Sequence, residues 1–331
     1  MNSSKEKIAV VLLQLGGPDK LESVEPFLYN LFCDPDIIDI PGAFLFRTTL
    51  ARIISSRRAP KVQELYKKIG NRSPIYKQTK LQADRLLEEL QIRGHDVDVH
   101  IAMRYWNPLT AEAVEAVRRS KPDRIVLLPL YPHYCKATTG SSVNEWKRVV
   151  KQLKLPEIPT TLIESYYDHP LYIDALVKRI HCALSRVPAQ DRHKVQIVFS
   201  AHGTPMKLVR DGDPYSHHIR ATYERVVERG QFGLPHLLCF QSKVGPQKWL
   251  TPSLTGTIER LGHDGATHLL VVPIAFVTDH IETLSEINIE AREEALKLGV
   301  KYYDMMPALL TEELFIRCLS DLVEQKITAK T

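Results

Sequence analysis

Two short stretches hold the residues best suited to chemistry. The first is Ser200-Ala201-His202-Gly203, at the end of the apolar run Val195–Ser200. A histidine there stands where a buried strand ends, and the glycine after it permits a tight turn and close approach by a ligand. Near neutral pH an imidazole either takes a proton or ligates a borderline metal. The bland alternative is a structural histidine hydrogen-bonded at a strand end; the pattern alone weighs the two about evenly. A Ser-x-His hydrolase is disfavoured, because no Gly-x-Ser-x-Gly elbow is present.

The second stretch is Asp279-His280-Ile281-Glu282-Thr283, after the apolar run Leu269–Ile274. Asp279-x-x-Glu282 matches a capping box at a helix N-terminus, which would account for both acids without any chemistry. Glu282, Glu286 and Glu290 then recur at i, i+4. Like charges at that spacing cost a helix about 0.2–0.5 kcal/mol per pair. A stripe of acids leading away from a site would attract a cation or relay protons outward. Smaller signals are weaker. Gly16-Gly17-Pro18 is a tight turn, but no dinucleotide or P-loop glycine pattern surrounds it. Thr138-Thr139-Gly140-Ser141-Ser142 would cap a helix or bind an anion at its N-terminus.

The chain that must position these residues has 331 of them, which as a length prior means about two domains. A net charge of +5 permits contact with anionic groups, and no nucleic-acid-binding signature accompanies it. No long apolar stretch free of charges suggests a membrane span. The polar start, Met1 to Lys7, lacks the apolar core of a signal peptide, so a cytoplasmic location is expected. The five cysteines are widely spaced and form no Cys-x-x-Cys pair, as buried reduced thiols would.

Continuous apolar runs at Ile8–Leu13, Val97–Met103, Arg124–Leu130, Val195–Ser200, His236–Phe240 and His268–Ile274 read as strands buried on both faces of parallel sheets. Helical patterns lie between them, at Gln78–Arg93, Pro108–Ser120, Tyr172–Leu184, Tyr215–Arg229 and Ile281–Leu298. This alternation predicts an α/β fold. The halves are related. An apolar strand ending in a Gly-x-Pro turn opens each, at Gly16-Gly17-Pro18 and Gly203-Thr204-Pro205, and Leu127-Leu128-Pro129-Leu130 matches Val271-Val272-Pro273-Ile274. The first half carries extra residues between these landmarks, naturally placed within 37–74. There the apolar run Ile40–Phe46 leads to Arg57, Arg58 and Lys61, a pattern that suits either a site cover resting on an anionic membrane surface or an ordinary amphipathic helix.

Taken in order, these residues resemble the ferrochelatase family over nearly the whole chain. The match includes Gly16-Gly17-Pro18, Arg57-Arg58-Ala59-Pro60-Lys61, Tyr66, Ser73-Pro74, Arg104-Tyr105 and Tyr131-Pro132-His133-Tyr134. It continues through Gly212-Asp213-Pro214-Tyr215, Gln241-Ser242-Lys243-Val244-Gly245-Pro246 and Trp249. The resemblance implies two Rossmann-like chelatase domains, each a parallel sheet flanked by helices, with a porphyrin cleft between them. The expected divisions are 6–155 including the 37–74 lip, 156–310, and a C-terminal helix within 311–331 packing back on the first domain. The implied reaction inserts Fe²⁺ into protoporphyrin IX, gives protohaem and releases two protons. His202 and Glu282 would bind metal and handle protons, supported by His280 and Glu286. Leu15, Arg57, Tyr66, Ser73 and Trp249 would line the porphyrin site, and the lip would make peripheral contact with the membrane.

Two departures matter. Animal-type members carry a C-terminal cysteine cluster for a [2Fe–2S] centre, whereas the C-terminal region here has only Cys318 and the internal motif has Cys135 one place displaced. Four thiolates are not assembled, so no cluster and no tightly bound cofactor are expected. Asn288 stands where an acidic residue is more usual. The rivals are a porphyrin carrier on the same fold, which needs no acid stripe, and a related chelatase using cobalt or another tetrapyrrole. The lip favours protoporphyrin over coproporphyrin.

Overall fold

The computed structural model describes residues 5–37, 46–242 and 247–328. The lip residues Ile40, Phe44 and Leu45, and Lys243–Pro246 of the Gln-Ser-Lys motif, lie outside the described residues. The chain divides into two compact units, residues 1–165 with 315–331, and residues 166–314.

In the first unit the order is β1 (Lys7–Gln14), α1 (Val24–Phe32), α2 (Arg47–Lys68), α3 (Ile75–Ile92), β2 (Asp96–Met103), α4 (Thr110–Ser120), β3 (Arg124–Pro129), α5 (Ser141–Leu153) and β4 (Thr160–Leu162). The four strands are all parallel, in the order β2-β1-β3-β4. Every residue of β1 after Lys7 is buried, as its unbroken apolar run requires. Ala9, Val11 and Leu13 pack against Val114 and Val117 of α4 and Trp146 and Val149 of α5. Since β4 pairs with β3, the division between units falls after β4, at Ser165.

The second unit repeats this plan. It contains α6 (Pro170–Ser185), β5 (Val195–His202), α7 (Met206–Arg210), α8 (Tyr215–Gly230), β6 (His236–Gln241), α9 (Leu254–His263), β7 (His268–Pro273), α10 (Ala291–Lys297) and β8 (Tyr302–Met305). Its sheet is again parallel, in the order β6-β5-β7-β8. Two π-helices sit at matching places, Lys136–Gly140 after β3 and Glu282–Glu290 after β7. The structure therefore bears out the α/β reading, with two four-stranded parallel sheets flanked by helices.

Two expectations change in detail. The segment expected as one helix over Ile281–Leu298 is a π-helix followed by α10. Thr138-Thr139-Gly140-Ser141-Ser142 neither cap a helix through a side chain nor present an open N-terminus. The first three belong to a π-helix, and Ser141 Oγ donates to the buried Asp34 carboxylate.

The chain ends in α11 (Glu313–Thr328), whose residues from Phe315 onward belong to the first unit. Arg93 binds Glu89, Asp321 and Glu324, and His95 Nε2 lies 2.8 Å from Glu324. Arg124 donates to the carbonyls of Lys326 and Ile327. These bonds tie the last helix to the residues leading into β2 and to the start of β3. Among the described residues, no helix is long and apolar enough to cross a membrane.

Candidate active site

In each sheet the chain leaves the central strand to one side and returns to the other, between β1 and β3 and between β5 and β7. Ligands in open α/β sheets collect outside the carboxyl ends of the strands at such a switch point. His202 is the last residue of β5, and Glu282 opens the π-helix that follows β7. Chain topology thus delivers both to the switch point of the second unit.

There His202 Nδ1 lies 2.8 Å from Glu282 Oε2. His280 Nε2 lies 3.8 Å from the same oxygen. The imidazole of His202 keeps 38% of its side-chain surface accessible, whereas His280 keeps 10%. The Tyr215 hydroxyl donates to the His202 carbonyl at 3.0 Å and fixes the strand end. Gly203 is needed for a steric reason: a Cβ there would fall 2.8 Å from the Gln241 carbonyl oxygen, the same oxygen that accepts the Gly203 N–H. Trp249 lies beside it, 3.5 Å from that Cβ position, with its buried indole N–H unpaired among the described residues.

A ring of polar neighbours orients the acids. Ser200 Oγ donates to Gln241 Oε1 at 2.8 Å. Glu286 accepts the Ser242 N–H at 2.7 Å and also its hydroxyl. Glu290 turns aside to accept from Ser285 Oγ at 3.1 Å. Of the expected stripe, Glu282 thus bonds His202 and Glu286 bonds Ser242, whereas Glu290 bonds within its own helix. The capping-box reading is corrected as well. The residue before the π-helix, Ile281, makes no side-chain cap. Thr283 Oγ1 accepts the His280 N–H and lies 3.3 Å from Asp279 Oδ1, while Glu282 spends its carboxylate on His202.

Electrostatics follow from this arrangement. Burial would raise Glu282, but the imidazole of His202, bonded to it, and that of His280 hold it down to about 2. Burial lowers His202, yet the adjoining Glu282 carboxylate, with Glu286 behind, outweighs this and raises the imidazole above its ordinary 6.5. His280 is lowered by burial against the pull of Glu282 and Asp279. Glu286 is raised by burial and by Glu282, against its two bonds from Ser242.

The other expected site residues fall in the first unit. Leu15 is half-buried just past β1, its N–H bonded to Gln14 Oε1. Ser73 is buried beneath the tight turn, where a Cβ on Gly17 would meet its Oγ at 2.6 Å. Tyr66 is buried on α2 and Arg57 is exposed on it. Sequence reasoning gave no role to Gln241, Ser242 or Tyr215, although all lie in quoted motifs. It also missed Asp34, whose fully buried carboxylate binds Arg104 at 2.9 Å and the Tyr105 hydroxyl at 2.5 Å.

The ferrochelatase family profile matches residues 7–327. The chain belongs to the ferrochelatase family. It is 47% identical to the ferrochelatase of Geotalea daltonii, over 96% of this chain and 98% of that one. It is 48% identical to that of Geobacter metallireducens, over 97% and 98%. The cyanobacterial ferrochelatase of Gloeothece citriformis is 42% identical, over 97% of this chain and 83% of its own. Among solved structures, SirB from Bacillus subtilis with Fe³⁺ has a TM-score of 0.57 at 14% identity, covering 97% of this chain and 96% of its own. At that identity the likeness shows the chelatase fold alone.

Proposed function

We propose that this chain inserts Fe²⁺ into protoporphyrin IX, forming protohaem and releasing two protons, with His202 and Glu282 as its chemical centre. The observation that carries the assignment of residues is the 2.8 Å pairing of His202 Nδ1 with Glu282 Oε2 at the switch point of the second sheet. When His202 is neutral, its Nδ1–H donates to Glu282. That fixes the tautomer and leaves the Nε2 lone pair to take a pyrrole proton or touch iron. Glu282 remains ionised at neutral pH, so it supplies negative charge where Fe²⁺ sheds water and where a proton leaves. Glu286, held higher by burial, accepts the proton next and passes it along the π-helix. His280, 3.8 Å from the same Glu282 oxygen, adds to the support of that carboxylate.

The porphyrin contacts are assigned to Leu15, Arg57 and Trp249, with Tyr66 and Ser73 supporting from beneath the surface. Trp249 offers an aromatic face beside His202. Arg57 offers a guanidinium fork that matches a propionate. The macrocycle must be bent to expose its nitrogens, and binding that favours the bent form accelerates insertion. The exposed side chains of Phe46, Ile53, Arg52, Arg57, Arg58 and Lys61 suit peripheral contact with an anionic cytoplasmic membrane surface. Anaerobic addition of Fe²⁺ to the protein with protoporphyrin or coproporphyrin, followed by absorbance, tests the reading. Rapid conversion of protoporphyrin is expected; a bound but unmetallated porphyrin would make the chain a carrier.

A further inference from the structure

Gln241 closes β6 with its side-chain oxygen accepting from Ser200, whereas the next residue, Ser242, gives both its N–H and its hydroxyl to Glu286. In a regular strand successive side chains point to opposite faces. Ser242, just past the end of β6, leaves the extended conformation for a left-handed backbone, with φ +65°. Such a conformation is uncommon for a non-glycine residue and persists where the surroundings over-determine it. Here it turns the N–H and the hydroxyl of Ser242 the same way, one onto each oxygen of Glu286.

We infer that Ser242 is a positioning residue whose left-handed turn clamps Glu286 in place as the second proton-carrying acid of the site. The inference rests on the reading above, in which Glu286 follows Glu282. A carboxylate held by two donors on its two oxygens has one orientation, so it meets the incoming proton without rotating. The strained backbone conformation is the device that makes both donors available from one residue.

The test is a double-mutant cycle in the full-length protein. Ser242→Ala removes the hydroxyl. Ser242→Gly removes it and also relieves the backbone, so this variant keeps the protein folded even where the first does not. Loss of a hydrogen bond to a charged group predicts a fall in kcat of roughly tenfold or more for each, with the porphyrin KM unchanged. Melting temperature is recorded alongside and should not fall for Ser242→Gly. In a Glu286→Ala background, Ser242→Gly should change the remaining rate less than about twofold, because the group it positions is gone. Wild-type kcat in Ser242→Gly, or the same loss with and without Glu286, overturns the assignment while leaving Glu286 in its role. Normal turnover by Glu286→Ala alone overturns both.

Discussion

Glu282 Oε2 lies 2.8 Å from His202 Nδ1 and 3.8 Å from His280 Nε2, so one carboxylate oxygen is shared by two imidazoles that differ in exposure. The two histidines respond oppositely, His202 raised and His280 lowered. The exposed imidazole, beside the carboxylate that bonds it, is thus the one prepared to hold a proton. The buried one is disfavoured as a cation.

This pairing has a signed consequence for stability. A histidine raised in the folded state stabilises fully below its unfolded value near 6.5 and loses that contribution as pH rises through its folded value. A glutamate lowered to about 2 stabilises fully above its unfolded 4.5 and loses it as pH falls toward 2. The pair therefore contributes most between about pH 4.5 and 6.5. Melting temperatures of the wild type and Glu282→Gln, measured across that range, should differ most inside the window and converge above and below it.

Catalysis should show the complementary trend. Iron ligation and proton acceptance both require a neutral His202. Metallation should therefore rise with pH through a midpoint above 6.5. Raising that imidazole is the work of Glu282 in large part, so Glu282→Gln should move the midpoint down. A profile of initial rates at saturating porphyrin checks this, and an unchanged midpoint would show that the two groups are not coupled.

Gly203→Ala should damage the site without touching a reacting group. The added Cβ would lie 2.8 Å from the backbone oxygen of Gln241, which has no flexible end to move. Separation of β5 from β6 at this point shifts both His202 and Gln241. A loss of about 1–3 kcal/mol in stability and a kcat loss larger than the populated folded fraction explains are expected, from denaturant titration and rate measurements on the same sample.

Asp34→Ala tests the buried network of the first unit. It would leave Arg104, only 14% accessible, without its carboxylate, and remove the acceptor of Tyr105 and Ser141. Breaking a buried pair from one side costs about 3–5 kcal/mol. Denaturant titration should show a loss of that size, and Asp34→Asn, which keeps an acceptor, a smaller one.

Much of this was legible beforehand because burial leaves a plain mark. Strands β1, β3, β5 and β7 are covered on both faces, so Ile8–Leu13 and His268–Ile274 read as unbroken apolar runs. The duplicated plan showed in Pro18 and Pro205, and in Pro129 and Pro273. His202 and Glu282 were visible as polar residues ending such runs. By contrast β4 and β8 are three and four residues long at sheet edges and half-exposed, too short to show a period. The π-helix escaped notice because Glu282, Glu286 and Glu290 satisfy an α-helical spacing equally well. Asp279-x-x-Glu282 reads as a capping box whichever donors the carboxylates meet, and its partner, His202, is remote in sequence. Ser242 adopts a left-handed backbone without the glycine or asparagine that usually announces one. Asp34 finds Arg104 and Ser141 only through the fold.

The most direct test of the central claim is the Fe²⁺ insertion rate of His202→Ala, normalised to folded protein with protoporphyrin bound. A group that accepts protons contributes about 10²–10⁴-fold, and loss of a contact to iron would add to this. The expected result is porphyrin binding near that of the wild type with insertion slowed at least a hundredfold. A folded, porphyrin-bound His202→Ala protein that metallates at the wild-type rate would contradict the account.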